Sequence, residues 1–221
     1  MCGRYTLIDR PNIATRFGLL ELGKPALDPR FNIAPSQQVP VVIGTSQGRE
    51  LRLMRWGFQP AWMTDPKRPP PINARAETLL ERPLFRGALA QGRCLIPADG
   101  FYEWTEVPGR KGKQPMYLRL KGGELFGFAG LHVEGPEAQE TCAIVTTAAN
   151  EVVAPIHDRM PVILDPEREG LWLDPAVTDL TAVLACLQSR ASEQLEIRPV
   201  GPLVSSAQND GPELIQPALG L

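Results

Sequence analysis

The sequence lacks the segments and charge excess that mark several large protein classes. No apolar run approaches the roughly 20 residues that a membrane-spanning helix needs, and the first seventeen residues contain no hydrophobic segment of the secretory type. Lysine and arginine number 23 against 25 aspartate and glutamate, a formal net charge of −2. Any nucleic-acid binding would therefore need a local basic patch. We expect a cytoplasmic protein that does not bind membranes.

Histidine and cysteine are too few and too scattered for a typical metal site. Only two histidines occur, His132 and His157, and the four cysteines stand at positions 2, 94, 142 and 186. Such spacing matches neither a zinc-ligand pattern nor a disulfide framework. The chain also lacks a phosphate-binding glycine loop and a G-x-S-x-G nucleophile motif. We therefore predict no metal and no cofactor.

The remaining composition is that of a globular protein with short elements. Apolar residues make up 43 % and charged residues 22 % of the 221, and 23 prolines are spread along the chain. Strand patterns outnumber helix patterns and follow one another as hairpins do, which predicts a single α+β domain over residues 1–221. Its core should be a mostly antiparallel, barrel-like sheet with short flanking helices. The predicted strands are residues 2–7, 39–44, 50–58, 93–104, 116–120, 124–133, 141–147 and 195–200.

Three helices are predicted beside these strands. A short one follows Asp9, with Pro11 near its first turn, and a second spans residues 83–91 with proline at its first position. The third and most regular covers residues 174–190, because its apolar side chains form one stripe at helical spacing. Residues 65–71 should form a rigid, proline-rich loop.

Cys2 offers the most unusual chemistry of the chain. Initiator methionine is normally removed before a small residue, so the mature chain should begin with cysteine. Its α-amine, with a pKa of about 7.7–8.0, and its thiol, with a pKa of about 8.5, would then lie on adjacent carbons. The amine can condense with an aldehyde and the thiol can close on the product, or the thiol can attack with the amine as its base. The alternative is a second residue that is merely small.

Glu103 and His157 are candidate proton-transfer groups. Glu103 is enclosed by aromatic residues in GFYEW, where burial would raise its pKa. His157 stands in PIHDRMPV, next to an aspartate that could set its tautomer. The alternatives are a strand carboxylate that faces water and a histidine on the surface.

Candidate binding residues occur in two other segments. In INARAET, an extended chain would place Asn73, Arg75 and Glu77 on one face, which combines an amide that could orient an amine with an arginine suited to phosphate. In WGFQPAW, Trp62 lies in a glycine- and proline-containing loop. Trp104, in a different segment, directly follows Glu103. Exposed aromatic side chains beside arginines can stack on unpaired bases. The alternative for INARAET is a solvated edge strand, and the alternative for the tryptophans is packing in the core.

Seven segments, in order, resemble the SRAP family, the SOS response-associated peptidase-like proteins that process abasic sites. They extend from residue 2 to about residue 217. The matching segments are MCGRYTL, FNIAPSQ, WGFQPAW, INARAET, RCLIPADGFYEW, TTAANEVVAPIHDRMPVIL and NDGPELIQP.

The resemblance implies a mostly β domain whose groove binds single-stranded DNA that contains an abasic site. It implies that Cys2 captures the ring-opened aldehyde through both amine and thiol, with Asn73 orienting the amine. Glu103 would then shuttle protons, and His157 would assist sugar opening and reversal. Phosphates would be held by Arg4, Arg75 and Arg159, and bases would contact Trp62 and Trp104. We expect a monomer that associates with the nucleoid when bound to DNA.

Two other functions remain open at this point. Cys2 could be the nucleophile of an N-terminal-nucleophile peptidase, which the family name records and which could remove its own methionine. Alternatively, the protein could be a non-covalent single-strand-binding module in which Cys2 has no chemical role.

Overall fold

The fold is built mainly from short strands that form two sheets. A computed structural model describes residues 2–19, 28–65, 67–109, 111–188 and 192–218. The strands are β1 Tyr5–Leu7, β2 Arg30–Ile33, β3 Gln38–Thr45, β4 Gly48–Trp56, β5 Asn73–Arg75, β6 Arg93–Ala98, β7 Gly100–Glu106, β8 Lys113–Leu120, β9 Phe126–Glu134, β10 Glu140–Ala148, β11 Arg159–Pro161, β12 Ile163–Leu164 and β13 Leu195–Pro199. The helices are α1 Ile13–Phe17, α2 Pro83–Gln91, α3 Pro166–Leu173 and α4 Leu180–Ala185.

The larger sheet closes into a ring. Strands β10, β4, β3, β6 and β9 pair in that order, and β9 pairs back with β10. Strands β5 and β11 attach to β10, and β12 attaches to β9. Among the described strands of this sheet, only the pairings of β10 with β4 and with β5 are parallel. The prediction of an α+β fold with a mostly antiparallel, barrel-like core is confirmed.

The smaller sheet carries the beginning of the chain. Its strand order is β13-β8-β7-β1-β2, so β1 is held on both sides. The side chain of Tyr5, on β1, is buried against two rings of the larger sheet, Trp56 at 5.3 Å and Phe128 at 5.9 Å between centroids. Burial of such aromatic surface is a main source of folding free energy. The N-terminal segment is thereby fixed between the two sheets.

The predicted helix over residues 174–190 is wrong in its extent. Asp174 instead opens a turn, in which its carboxylate accepts a hydrogen bond from Ala176 N–H. The carbonyls of Asp174 and Val177 accept from the buried guanidinium of Arg93, and the Asp174 carbonyl also accepts from Val177 N–H within the turn. The helix begins only after Asp179, whose carboxylate caps Thr181 N–H, and ends at Ala185. Residues 189 and 190 lie outside the described residues.

Several other elements of the structure were not predicted from the sequence pattern. Helix α3 was not predicted, because a charged residue, Glu169, occupies its buried face. Strands β2, β11 and β12 were also missed; the last two are only three and two residues long. INARAET is extended only over β5, and Glu77 lies on a following 3-10 turn rather than on the same strand face. Residues 83–91 form α2 as predicted.

In the described part of the chain, no helix is both long and apolar enough to cross a membrane.

Candidate active site

Cys2 is completely buried at the edge of the core. The Nδ2 of Asn73 donates a hydrogen bond of 2.9 Å to the Cys2 carbonyl oxygen. Burial raises the pKa of the Cys2 thiol far above its ordinary range, and the charge of Glu103 raises it further, while the Arg4 backbone N–H, by hydrogen bonding to the thiol, acts in the opposite direction. The resting group is therefore a neutral thiol, which needs a proton acceptor before it can attack.

Glu103 lies next to Cys2 because of the register between β1 and β7. Tyr5 pairs with Phe101, and Tyr102 N–H donates to the Arg4 carbonyl at 2.9 Å. Continuation of this antiparallel register places Glu103 opposite Gly3, one residue from Cys2. The Glu103 side chain is buried, which raises its pKa, whereas a nearby positive charge on His157 lowers it. A carboxyl group with a raised pKa keeps its proton to a higher pH than a free carboxyl and can release it to a reacting group.

Asn73 has one side-chain atom, Oδ1, that is available to accept a further hydrogen bond. Its Nδ2 is used by the Cys2 carbonyl, but its Oδ1 is buried and accepts no hydrogen bond within the described residues. The side chain lines a cavity of about 230 Å³, shared with Arg75, Thr78, Arg82 and Phe85. An unsatisfied buried acceptor costs roughly 1–3 kcal/mol. A bound donor at this position would recover that free energy.

His157 is half-buried in the turn that precedes β11. Its Nδ1 lies 3.0 Å from the backbone nitrogen of Arg159 and 2.8 Å from Oδ1 of Asp158. The first contact requires Nδ1 to accept a hydrogen bond, and the second requires it to donate one. The two therefore belong to different protonation states of the imidazole.

The three arginines singled out from the sequence differ in their surroundings. Arg75 is exposed at the cavity, and no hydrogen bond or ion pair in the described residues engages its guanidinium. Arg4 uses Nη1 to donate to Asn32 Oδ1 and to the Val204 carbonyl, both at 3.0 Å. Arg159 is mostly buried, and its guanidinium is paired with Glu77. Arg75 is thus the guanidinium most accessible to a phosphate.

The tryptophans also separate into two kinds. Trp62 is 65 % exposed, in the loop that follows Gly57. Gly57 has φ +147°, in the positive region that favours glycine. Trp104 is half-buried. Arg4 lies 5.9 Å from the centroid of the Trp104 ring, and the Nε1 of Trp104 donates a hydrogen bond to Ser205 Oγ. The remaining tryptophan of WGFQPAW, Trp56, is a core residue.

The structure brings Cys2, Asn73, Glu103 and His157 into one neighbourhood, although their roles stay predictions. The sequence analysis missed Arg82, which shares the cavity with Asn73, and Asn32, which holds Arg4. Asn32 stands in the FNIAPSQ segment, and that segment was the only signal for it. Within the described residues, no three His, Cys, Asp or Glu side chains cluster as metal ligands.

Comparison with known proteins identifies relatives over most of the chain. The family model described as SOS response associated peptidase (SRAP) matches residues 1–207. The abasic site processing protein YoqW of Bacillus subtilis is 43 % identical, over 98 % of this chain and 99 % of its own. The abasic site processing protein YedK of Escherichia coli is 32 % identical, over 85 % and 84 %.

Solved structures show the same fold. A protein from Bacteroides thetaiotaomicron matches with a TM-score of 0.84 and 25 % identity, covering 99 % of this chain and all of that one. A phage-related protein from Bordetella bronchiseptica matches with a TM-score of 0.72 and 31 % identity, covering 90 % and 94 %. The extent of the family match and the identity to full-length relatives lead to one conclusion: the chain belongs to the SRAP family.

Proposed function

We propose that this protein processes abasic sites in single-stranded DNA by forming a covalent link through Cys2. The observation that carries the proposal is the contact of Asn73 with the Cys2 carbonyl, with the buried Glu103 carboxyl beside the same residue. The relatives named as abasic site processing proteins support it. An abasic sugar in its open form is an aldehyde, which is the partner that an amine and a thiol on adjacent carbons can capture together.

The reaction begins with the α-amine that removal of Met1 would leave on Cys2. Its nitrogen adds to the C1′ aldehyde carbon, and the resulting carbinolamine loses water to give an imine. The thiol sulfur then adds to the imine carbon, and the thiol proton ends on the nitrogen. The product is a five-membered thiazolidine, formed from amine, thiol and aldehyde with release of one water.

The protein groups supply proton transfer and orientation. Because burial raises its pKa, Glu103 can donate a proton to the departing hydroxyl and, as carboxylate, accept the proton of the Cys2 thiol. The Oδ1 of Asn73 is suited to accept from the amine and aim its lone pair. In this proposal His157 assists sugar opening and reversal of the link.

The DNA contacts are proposed from exposure and charge. Arg75 would bind a phosphate through its accessible guanidinium, which gives binding that weakens with salt. Trp62 and Trp104 would contact bases, and Arg4 and Arg159 would add phosphate contacts through N–H groups that their internal bonds do not use. We propose that the protein acts as a monomer in the cytoplasm, with the nucleoid as its site of action.

The direct experiment mixes the protein with a single-stranded oligonucleotide that carries one abasic site. We expect an adduct that survives a denaturing gel, with the summed mass of both partners less one water. Cys2→Ala keeps an α-amine but has no thiol, so its imine should be recovered only after borohydride reduction, while DNA affinity stays within about threefold. Absence of any adduct with correctly processed protein would overturn the proposal.

A second candidate function is the peptidase activity that the family description names, and an amide substrate tested beside the abasic oligonucleotide separates the two. If Cys2 is the nucleophile of a cysteine peptidase, the protein should cleave an amide or its own Met1–Cys2 bond. Turnover of an amide, with no adduct on abasic DNA, would favour that function.

A further inference from the structure

An ion pair connects the two segments that carry Asn73 and His157. Arg159 Nη1 and Nη2 lie 2.7 and 2.8 Å from the two carboxylate oxygens of Glu77, in a bidentate arrangement. Nη2 also donates to the Thr146 carbonyl at 2.7 Å. Only 13 % of the Arg159 side chain is exposed. Glu77 follows β5 and Arg159 begins β11, so the pair spans β10, which lies between these strands.

Strand pairing with β10 fixes the backbone of Arg159, in addition to the contacts that fix its side chain. Arg159 pairs with Ala148 on β10, and Ala149 N–H donates to the Asp158 carbonyl at 3.0 Å. The Arg159 backbone N–H is thereby held 3.0 Å from Nδ1 of His157. Hydrogen bonding to Arg159 lowers the pKa of Glu77, so the pair is charged at neutral pH.

The competing partner of Nδ1 is much less constrained. The Asp158 side chain is 84 % exposed, and its carboxylate is well solvated without the imidazole. When the imidazole is neutral, a hydrogen bond from the immobile Arg159 N–H to Nδ1 is more stable than one from Nδ1–H to the exposed Asp158 carboxylate. The second bond restricts the Asp158 side chain to one rotamer and gains little, because the carboxylate is solvated. The neutral ring then carries its proton on Nε2. Loss of the backbone donor would move the proton to Nδ1, where Asp158 accepts it.

We propose that Glu77 and Arg159 are positioning residues that fix the Nε2–H tautomer of His157. This inference rests on the proposed function only for its effect on rate; the tautomer itself is a property of the free protein. Within the described residues, the charged groups that lie near the ring include Glu103, Asp158 and the Glu77–Arg159 pair. Glu77 therefore acts on the chemistry through Arg159 and His157, without touching DNA.

The first test measures the tautomer by ¹⁵N NMR of the imidazole in the free protein at a pH where His157 is neutral. His132 is the only other histidine and serves as internal reference. The wild type should show a protonated Nε2, and Glu77→Gln should shift a large fraction of the population to Nδ1–H. Glu81→Gln removes the same charge from a neighbouring exposed position and should leave the wild-type spectrum. An unchanged tautomer in Glu77→Gln would overturn the proposal.

A second variant separates positioning from a loss of structure. Asp158→Ala removes the competing acceptor, so the Nε2–H tautomer should persist, and the double variant with Glu77→Gln should recover part of it. If the double variant shows the same Nδ1–H fraction as Glu77→Gln alone, Asp158 is not the competitor and the argument is contradicted.

The kinetic test uses the crosslink to abasic DNA. Glu77→Gln should lower the rate at saturating DNA by about 10-fold, a part of the 10²–10⁴ that acid–base groups contribute, with apparent affinity within about threefold of Glu81→Gln. An affinity loss with unchanged saturating rate would overturn the positioning role, because Glu77 would then act only by holding Arg159 for DNA binding. If no variant forms a crosslink, the proposed function fails, while the NMR result still decides the tautomer.

Discussion

Two buried carboxylates, Glu169 and Glu103, occupy opposite kinds of environment. Glu169 is fully buried and bound by both Nη atoms of Arg16 at 2.7 and 2.9 Å, with Arg49 at 4.0 Å. Glu103 is also buried, but its neighbours are Cys2 and the imidazole of His157. A guanidinium fork holds a carboxylate in one place, whereas burial raises the pKa of the Glu103 carboxyl, a change that favours proton exchange. Burial alone therefore does not identify a candidate acid–base group. The groups that surround the buried carboxyl distinguish Glu103 from Glu169.

The largest expected effect is a loss of stability when Glu169, the carboxylate bound by Arg16, is replaced. Glu169→Gln leaves Arg16 without its counterion inside a tight fork, which typically costs about 3–5 kcal/mol. Because Arg16 is partly exposed, we expect the lower end of this range. Urea denaturation would measure the loss in free energy of unfolding. A loss under about 1 kcal/mol would mean that the fork contributes little and that the contrast with Glu103 is overstated.

The corresponding change in the site should affect rate and spare stability. Glu103→Gln preserves shape but cannot exchange a proton, so crosslinking of abasic DNA should slow by about 100-fold or more. The free energy of unfolding should stay within about 1 kcal/mol of wild type or rise, since a desolvated acid is replaced by a neutral amide. Single-turnover kinetics at saturating DNA give the rate. A wild-type rate, or a stability loss like that of Glu169→Gln, would make Glu103 a structural residue.

A smaller effect concerns another polar atom near the site. The hydroxyl of Tyr5 is buried and forms no hydrogen bond within the described residues. Tyr5→Phe removes it without changing the ring contacts, so unfolding should cost about 1 kcal/mol more. Thermal and chemical denaturation would both detect the gain. Destabilisation would show that the hydroxyl has a partner in the native state.

The smallest expected effect is a difference in the pH dependence of stability. The pKa of Glu103 is raised in the folded protein, so its carboxylate binds a proton more tightly there than in the unfolded chain. This stabilisation is complete below the unfolded pKa of about 4.3 and is lost as pH rises through the folded value. Wild type should thus lose stability relative to Glu103→Gln over that interval. Parallel curves would exclude a raised pKa.

The sequence singled out the candidate site residues, but it did not show how they are held. Cys2, Asn73, Glu103 and His157 stand in short motifs, and their residue types already limit the chemistry. The contact of Asn73 with Cys2 joins residues 71 positions apart, however, and it depends on pairings of β5 and β1 that no local pattern encodes. The pairing of Glu77 with Arg159 is non-local for the same reason.

The helical regions show a second limit. Apolar spacing predicted a helix from Asp174, but the carbonyls of that segment bind Arg93, a contact from a strand about 80 residues earlier. Helix α3 was hidden because its buried face includes Glu169, whose burial is possible only with Arg16 in place. In both cases one buried charge overrides the apolar periodicity on which helix prediction depends.

The central claim is that the amine and thiol of Cys2 act together, and it is tested most directly by comparing protein that retains Met1 with protein that has lost it. Each is mixed with single-stranded DNA containing one abasic site and analysed by intact mass. The account predicts an adduct, at the summed mass less one water, only for the protein that begins with Cys2. An equally stable adduct with the protein that retains Met1, or none with either, would contradict it.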